Sequence, residues 1–343
     1  MISELLQEGG LSLERLESFC LVAEAGGVTK AAKGDPVRQS LYSRQIKELE
    51  EFFGTELVRR KGRGIALTEA GVRLNKMARE SFAALWDFKS GCKGLPIEIV
   101  VGAGESLIRW LLMPRLGEIR RRLPNVRFKL LNLTSADIVA RLADGMMDFG
   151  VVRKDVVRRP LRSVALGNVE YSVFVPKAVQ SPGQVQSPKS KVQSPLPIVA
   201  SGESQGGIVL REGLRLGERL RLRSRSGGLG ASEHFGLATL EGEGSFRREL
   251  AAIERRHKLK LDIQLECSSF PLVAAAVESG GMAAILPSIA RVELGLRGVQ
   301  EVKVAELGSL AREICLAWNH RVLRIRPALE RAKLFFTELV QCH

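Results

Sequence analysis

From residue 12 to residue 90 apolar positions recur every three or four residues with one short basic interruption, whereas from Ile97 onward short apolar runs alternate with helical stretches. The first pattern predicts a helical N-terminal part and the second an α/β part, with the boundary near Gly91–Pro96. In the second part IEIVV (97–101), VRFKLL (126–131), DFGVV (148–152), YSVFV (171–175), PIVA (197–200), LDIQLE (261–266), AAIL (283–286) and EICLAW (313–318) read as strands. Helical periodicity separates most of them, as parallel βαβ units require.

Within the helical part, Leu13, Leu16, Cys20 and Ala23 make the expected buried stripe of a first helix, which Gly26-Gly27 ends. Thr29 sits where an N-cap belongs. A brief second helix, TKAAK, must stop at Gly34-Asp35-Pro36, so Pro36 starts a third helix. On that helix Tyr42, Ile46, Leu49 and Phe53 form the inward stripe; Gln39, Ser43 and Lys47 share an outward face with Ser40 and Arg44 beside it. Gln, Ser and Arg supply the donors and acceptors that base edges and phosphates need in a major groove. The segment VRRKGRGIAL (58–67) reads as two short extended pieces around a Gly-rich basic tip that can reach an adjacent phosphate backbone. The expectation over 12–67 is a winged helix-turn-helix that binds double-stranded DNA, with Thr29, Arg38, Gln39, Ser40, Ser43, Arg44, Lys47, Arg60, Lys61 and Arg63 as its contact residues.

A second periodicity starts at Ala70, with Leu74, Met77, Ala84 and Phe88 following in steps of three and four, interrupted by Ser81. About 20 helical residues reach roughly 30 Å, too far for a 60-residue domain to cover. Residues 68–91 are therefore expected to pair with a second copy, giving a homodimer, with a tetramer left open.

Composition changes the picture in one respect. The 343 residues carry 52 basic and 38 acidic side chains, a net charge of +14, which favours a polyanionic partner. Yet residues 1–95 hold 15 basic and 13 acidic side chains, so most of that excess lies elsewhere. Affinity for DNA would have to come from local placement. Aromatics make up only 5% of the chain, too few stacking platforms for a dedicated single-strand binder.

Two stretches do not fit a packed domain. AVQSPGQVQSPKSKVQSP repeats Val-Gln-Ser-Pro three times from Val179, Val185 and Val192, and reads as an exposed insertion over 178–195. A second insertion, 201–235, includes GGIVLREGLRLGERLRLRSRSGGLG with six Arg against two Glu, which reads as a solvated basic face. Five cysteines at wide spacing and four histidines without paired spacing give no zinc or metalloenzyme signature, and neither metal nor cofactor is expected. No apolar run is long enough for a membrane span, and the acidic start differs from a signal peptide, so the expected location is the cytoplasm.

Residues 13–72 resemble the DNA-binding domain of LysR-type transcriptional regulators. The resemblance is carried by Phe19, Thr29-x-Ala31-Ala32, Gln39-Ser40, Ser43-Arg44-Gln45-Ile46, Leu49-Glu50, Gly54-x-x-Leu57, Arg60 and Leu67-Thr68-x-Ala70-Gly71. Asp35, Arg38 and Leu41-Tyr42 depart from the family's usual residues. The stretches VGAGESLIRWLLMPRLGEIRRRLPNVRFKLL, DIVARLADGMMDFGVV, NVEYSVFVP and SFPLVAAAVESGGMAAILP are similar to the family's effector-binding domain. That resemblance implies a fold class of α/β: an N-terminal winged helix-turn-helix with a long linker helix, then a two-lobed effector-binding domain over 97–343, like periplasmic binding proteins, with the ligand between the lobes. The C-terminal helix, with Leu329, Ala332, Phe336 and Leu339 on one face, should return to lobe one.

A small-molecule effector, anions included, belongs where parallel strands end and helix N-termini present free N–H groups. Ser106, Thr134, Ser245, Ser268 and Ser269 stand at such positions, each able to cap a helix or touch a ligand. The expected function is a ligand-responsive, sequence-specific transcriptional regulator, not an enzyme. Two rivals remain. Gly202-Glu203-Ser204-Gln205-Gly206 fits the nucleophile elbow of a serine hydrolase, with His234, His257 and His320 downstream, but Gly-rich basic sequence follows where a helix is needed. The other is a small-molecule binding protein without DNA recognition.

Overall fold

The computed structural model describes residues 9–62, 64–177 and 236–341. Arg63, the expected strand at 197–200, both insertions and the Gly202–Gly206 elbow lie outside the described residues. The chain divides into two units. One runs to Gly104 and takes in Arg115–Leu166 and Cys315–Gln341; the other holds Glu105–Pro114 and Gly167–Ile314.

Helix α1 (Leu13–Ala25) starts where the Ser12 hydroxyl accepts the Arg15 N–H at 3.2 Å and stops at Gly26, whose φ of 68° suits a residue without Cβ. Helix α2 (Val28–Ala31) is a single turn capped by Gly27, which places Thr29 inside the helix and not at its cap. The expected cap is wrong because the preceding glycine already supplies the extended turn. Helix α3 (Pro36–Phe53) begins at Asp35, whose Oδ1 accepts the N–H groups of Val37 and Arg38 at 2.9 and 3.3 Å. Asp35 departs from the family pattern because it caps a helix instead of filling a core.

The core of this part is Phe19, Cys20, Val22, Ile46, Leu49, Leu57 and Ala78. The buried face of α1 is thus centred on Phe19. Leu13 falls at its edge and is 58% exposed, and Ala23 is only half-buried. At the end of α3, Phe53 lies edge-on to Phe52 and is 39% exposed, while Gln45, two turns earlier, is buried.

Strands β1 (Val58–Lys61) and β2 (Gly64–Leu67) pair antiparallel as the wing. Two contacts seat it: Glu50 Oε1 accepts the Leu57 and Val58 N–H groups at 2.8 and 3.1 Å, and Ile65 N–H donates to the Gly26 carbonyl at 3.1 Å. Helix α4 (Glu69–Cys92) is capped by Thr68, whose hydroxyl accepts the Gly71 N–H at 3.0 Å and donates to the Glu56 carbonyl at 2.7 Å. Its first turn crosses the chain so closely that a Cβ on Gly71 would lie 2.0 Å from the Leu57 carbonyl oxygen. The α4 seam also differs from a continuous one. Ala70, Leu74 and Phe82 pack on the N-terminal core, whereas Met77 and Phe88 are exposed, along with Leu85 and Trp86.

The remaining elements follow in order: β3 (Ile97–Ala103), a short helix α5 (Glu105–Leu107) running into a π-helical turn at Ile108–Leu112, α6 (Leu116–Arg122), β4 (Val126–Asn132), α7 (Ser135–Ala143), β5 (Phe149–Arg153), β6 (Leu161–Val169) and β7 (Tyr171–Pro176). Then come β8 (Gly236–Leu240), α8 (Ser245–His257), β9 (Ile263–Cys267), α9 (Phe270–Glu278), β10 (Met282–Pro287), α10 (Arg291–Leu296), β11 (Val299–Val302), β12 (Arg312–Asn319), α11 (His320–Ile325) and α12 (Pro327–Leu339). One sheet has the order β4-β3-β5-β12-β6 and the other β11-β7-β10-β8-β9. In the first, β3 runs parallel to β4 and β5; in the second, β8 runs parallel to β9 and β10, while β7 is antiparallel to β10 and β11. Strands β6, β8 and β11 escape the hydrophobic pattern. β6 mixes buried and exposed positions, and β11 has only four residues with burial at its two ends.

On α12, Leu329, Ala332 and Phe336 are buried, and the Phe336 ring meets Phe128 edge-on at 5.8 Å and Phe149 at a tilt at 5.7 Å. Just before it, Arg326 is 7% exposed. Its Nε and Nη2 donate to the Asp87 carboxylate of α4 at 2.6 and 3.1 Å, Nη2 also to the Glu98 carbonyl of β3 at 2.9 Å, and Nη1 to Asp148. The second oxygen of Asp148 accepts the Val100 N–H at 2.7 Å. Burial pushes the Asp148 carboxyl up from 3.8 to about 6, against the pull of Arg326 and the Val100 N–H.

Two outcomes are expected. Gly71→Ala should lower the thermal midpoint markedly, since backbone must shift to admit the methyl; an unchanged midpoint in calorimetry would refute the close approach. The native state binds the Asp148 proton more tightly than the unfolded chain, so this stabilising contribution is complete below about pH 4 and is lost as pH rises through about 6. In urea titrations the stability difference between wild type and Asp148→Asn should therefore move in the variant's favour across that window, and a move the other way would contradict the raised carboxyl.

Candidate functional site

On α3, Ser40, Ser43, Arg44 and Lys47 are exposed and Gln39 is half-buried, so the polar face expected from the spacing is present. The Thr29 hydroxyl donates to Gln39 Oε1 at 3.4 Å, which ties α2 to α3 and leaves the amide nitrogen of Gln39 as a free donor. Each cation on α3 lies near an acid: Arg38 is 3.6 Å from Asp35, Arg44 3.6 Å from Glu48 and Lys47 3.5 Å from Glu51. Glu48 also accepts from Arg15 Nε at 2.5 Å. Exposed pairs of this kind are worth at most about 1 kcal/mol, so exchanging a carboxylate for a phosphate costs little. These three are among the thirteen acids that keep the net charge of residues 1–95 small.

Arg60 and Lys61 stand exposed on β1 beside Arg59, with no ion pair among the described residues. Gly62, with φ of 58°, turns the wing tip. Arg79 fixes α4 to α1, donating to the Cys20 carbonyl and to Glu24, each at 3.1 Å.

The five effector candidates are divided between the two units. Thr134 belongs to the first unit, and its hydroxyl is committed, accepting the Asp137 N–H at 3.2 Å and donating to the Asp137 carboxylate at 2.7 Å. Ser106, Ser245, Ser268 and Ser269 belong to the second. Ser106 lies inside α5 and is half-buried; Ser245 is the first residue of α8, whose cap is Gly244; Ser268 is exposed. Ser269 occupies the cap position of α9 but makes no capping bond, and its Oγ is buried without a hydrogen-bond partner.

Thr239, near the end of β8, is a residue that the sequence reading misses. It is 1% exposed and its hydroxyl is likewise buried without a partner. Only its strand could have flagged it, and GLATL follows the Gly- and Arg-rich insertion with too little length to stand out. On the same unit Tyr171, Phe246 and Phe270 form an aromatic cluster with centroids 5.0 to 5.8 Å apart. Arg109, in the π-helical turn, grips Glu293 through Nε at 3.2 Å and Nη2 at 2.5 Å, and its hydrogen bond lowers the Glu293 carboxyl below its usual range. Arg297 joins Glu293 to Glu278 at 2.9 and 2.8 Å. Trp110 next to Arg109 is buried among Val273, Val277, Leu286 and Leu294.

Among the described residues no group of three or more His, Cys, Asp and Glu could hold a metal ion, and no helix is long and apolar enough to cross a membrane.

Residues 13–72 match the family described as bacterial regulatory helix-turn-helix protein, lysR family, and residues 94–223 and 230–340 match the LysR substrate binding domain. Similar curated proteins include the uncharacterized HTH-type transcriptional regulator YybE of Bacillus subtilis, 31% identical over 169 residues, which are 48% of this chain and 57% of that protein. A probable nitrogen assimilation transcriptional activator of Synechococcus elongatus is 30% identical over 146 residues, 41% of this chain and 47% of that one. The chain spans about half the length of the curated relatives it matches. Among solved structures, a full-length OxyR variant from Pseudomonas aeruginosa aligns with a TM-score of 0.58 at 16% identity, over 96% of this chain and 97% of that one, a likeness of fold. With both family matches together spanning most of its length, the chain belongs to the LysR family of bacterial helix-turn-helix regulatory proteins.

Proposed function

We propose that the protein is a sequence-specific transcriptional regulator that binds promoter DNA and responds to a small-molecule effector. The observation that carries the DNA part is the face of α3: Gln39, Ser40, Ser43, Arg44 and Lys47 point outward from a helix anchored at both ends, beside the exposed cations of the wing. Residues 12–67 then form the reading domain, 68–91 the dimerisation helix, and 97–343 the effector-responsive part. The exposed Met77, Leu85, Trp86 and Phe88 of α4 support pairing with a second copy.

The effector part rests on the second unit. Buried hydroxyls usually find a partner, and those of Thr239 and Ser269, at the C-terminal ends of the parallel strands β8 and β9, have none. Ser245, Ser268 and Ser106 are the further candidates in that unit, and a ligand with carboxylate or other acceptor oxygens fits hydroxyl donors at helix starts. Thr134, whose hydroxyl is engaged, reads as a capping residue.

Fluorescence anisotropy with the protein's own upstream intergenic duplex and a scrambled duplex, over a salt series, tests the first part. Wild type should prefer the native duplex by about three orders of magnitude or more, and Gln39→Ala with Arg44→Ala should lose most of that preference. Equal binding by the variant would break the assignment of α3. For the second part, Thr239→Val should leave the thermal midpoint unchanged or raise it, because the hydroxyl makes no bond in the free protein, and should abolish the effector's influence on DNA affinity. A large drop in midpoint would mean that the hydroxyl serves the fold.

A further inference from the structure

Val37 is 78% exposed, in the first turn of α3, and takes no part in the core of the N-terminal domain. Single exposed apolar side chains are common on protein surfaces, so exposure alone decides nothing. Position does. Val37, Ser40 and Arg44 recur at i, i+3 and i+7, which puts the valine on the exposed stripe that carries the polar contacts, at the end of α3 from which a recognition helix presents side chains to base edges.

Three further features fit that placement. The turn is rigid, because Asp35 Oδ1 accepts the Val37 N–H at 2.9 Å and Pro36 fixes the preceding dihedral. The side chain is stiff, because branching at Cβ restricts χ1. Its neighbours Arg38, Gln39, Ser40, Ser43 and Arg44 are all hydrogen-bonding groups, so Val37 supplies the apolar contact of that surface. In a major groove, the one apolar group on a base edge is the thymine methyl.

We propose that Val37 reads the 5-methyl group of a thymine, and so helps to set the sequence preference of the protein. This rests on the DNA-binding reading given above. Burying a methyl against the valine removes both apolar surfaces from water, and the hydrogen-bonding residues beside it cannot make that discrimination. Gln39 and Arg44 respond to donors and acceptors, which thymine and uracil share.

That last point provides the test. The full-length protein is used to enrich a preferred duplex from a random pool, and each thymine of that duplex is replaced singly by deoxyuracil, which deletes only the methyl. At one position in a half-site, uracil should weaken wild-type binding roughly fourfold. Val37→Ala should weaken binding to the thymine duplex by a similar factor and should no longer distinguish uracil from thymine at that position. Its thermal midpoint should match wild type, since the side chain packs against nothing in the core. Equal uracil costs in wild type and variant, or no uracil cost at any position, would overturn the role of Val37 while leaving DNA recognition intact. Failure to enrich any sequence would overturn DNA recognition itself, and the role of Val37 with it.

Discussion

Arg326 is the residue through which the first unit is assembled. One guanidinium at the junction of α11 and α12 reaches the Asp87 carboxylate on the linker helix, the Glu98 carbonyl on β3 and the Asp148 carboxylate at the entry to β5. Two carboxylates on one cation leave this buried cluster with a net negative charge, offset in part by the Val100 N–H. Buried ion pairs of this kind contribute little net stability, because desolvation cancels much of the attraction. What they supply is register: the planar fork accepts one arrangement of its partners, so the end of α4 is fixed relative to the sheet of its own unit. The helix that bears the exposed apolar residues and the reading domain is therefore held by a polar contact that tolerates few alternatives.

A second joint, made from backbone, positions the reading domain. Gly71 lets α4 cross Leu57 with no room for a methyl, Glu50 accepts the two N–H groups that begin the wing, and Gly26 lends its carbonyl to Ile65. These contacts link α1, α3, the wing and α4 without using any of the exposed polar side chains of α3. The division has a physical basis. Groups that satisfy buried backbone must stay engaged, whereas the groups proposed to meet DNA must exchange their surface partners cheaply, as Arg38, Arg44 and Lys47 can.

The second unit follows the opposite logic. Its core is apolar and several of its described surface cations are tied to acids, as in the chain from Arg109 through Glu293 and Arg297 to Glu278. Against that background, the buried hydroxyls of Thr239 and Ser269 at neighbouring strand ends lack partners, as do Trp110 Nε1 and Glu301 Oε1, and of these four groups only the two hydroxyls stand together at the ends of parallel strands. A ligand that completes those hydrogen bonds would account for both hydroxyls, which is why the proposed effector site is centred there and not on Thr134, whose hydroxyl is already engaged.

How much was legible in the sequence depends on whether the signal was local. The three N-terminal helices, the wing, the polar face of α3 and most strands of both sheets followed from periodicity, capping residues and Gly-Pro punctuation, because each is written within a dozen neighbouring residues. The residues whose burial or cap came out differently, Leu13, Thr29 and Phe53, all depended on a neighbour elsewhere in the chain or in the next turn. Leu13 looks buried by spacing, yet the packing face of α1 is set by α3 and α4. β6 and β11 carry mixed polarity that becomes a strand only when a sheet edge supplies hydrogen bonds. Nothing around Arg326 marks it as buried, since its partners lie 178 and 239 residues away. Sequence by itself determined most of the element types, the family and the chemistry of the polar face of α3; only tertiary structure decided which polar groups are engaged and which are left open, because hydrogen-bond satisfaction belongs to pairs brought together by folding.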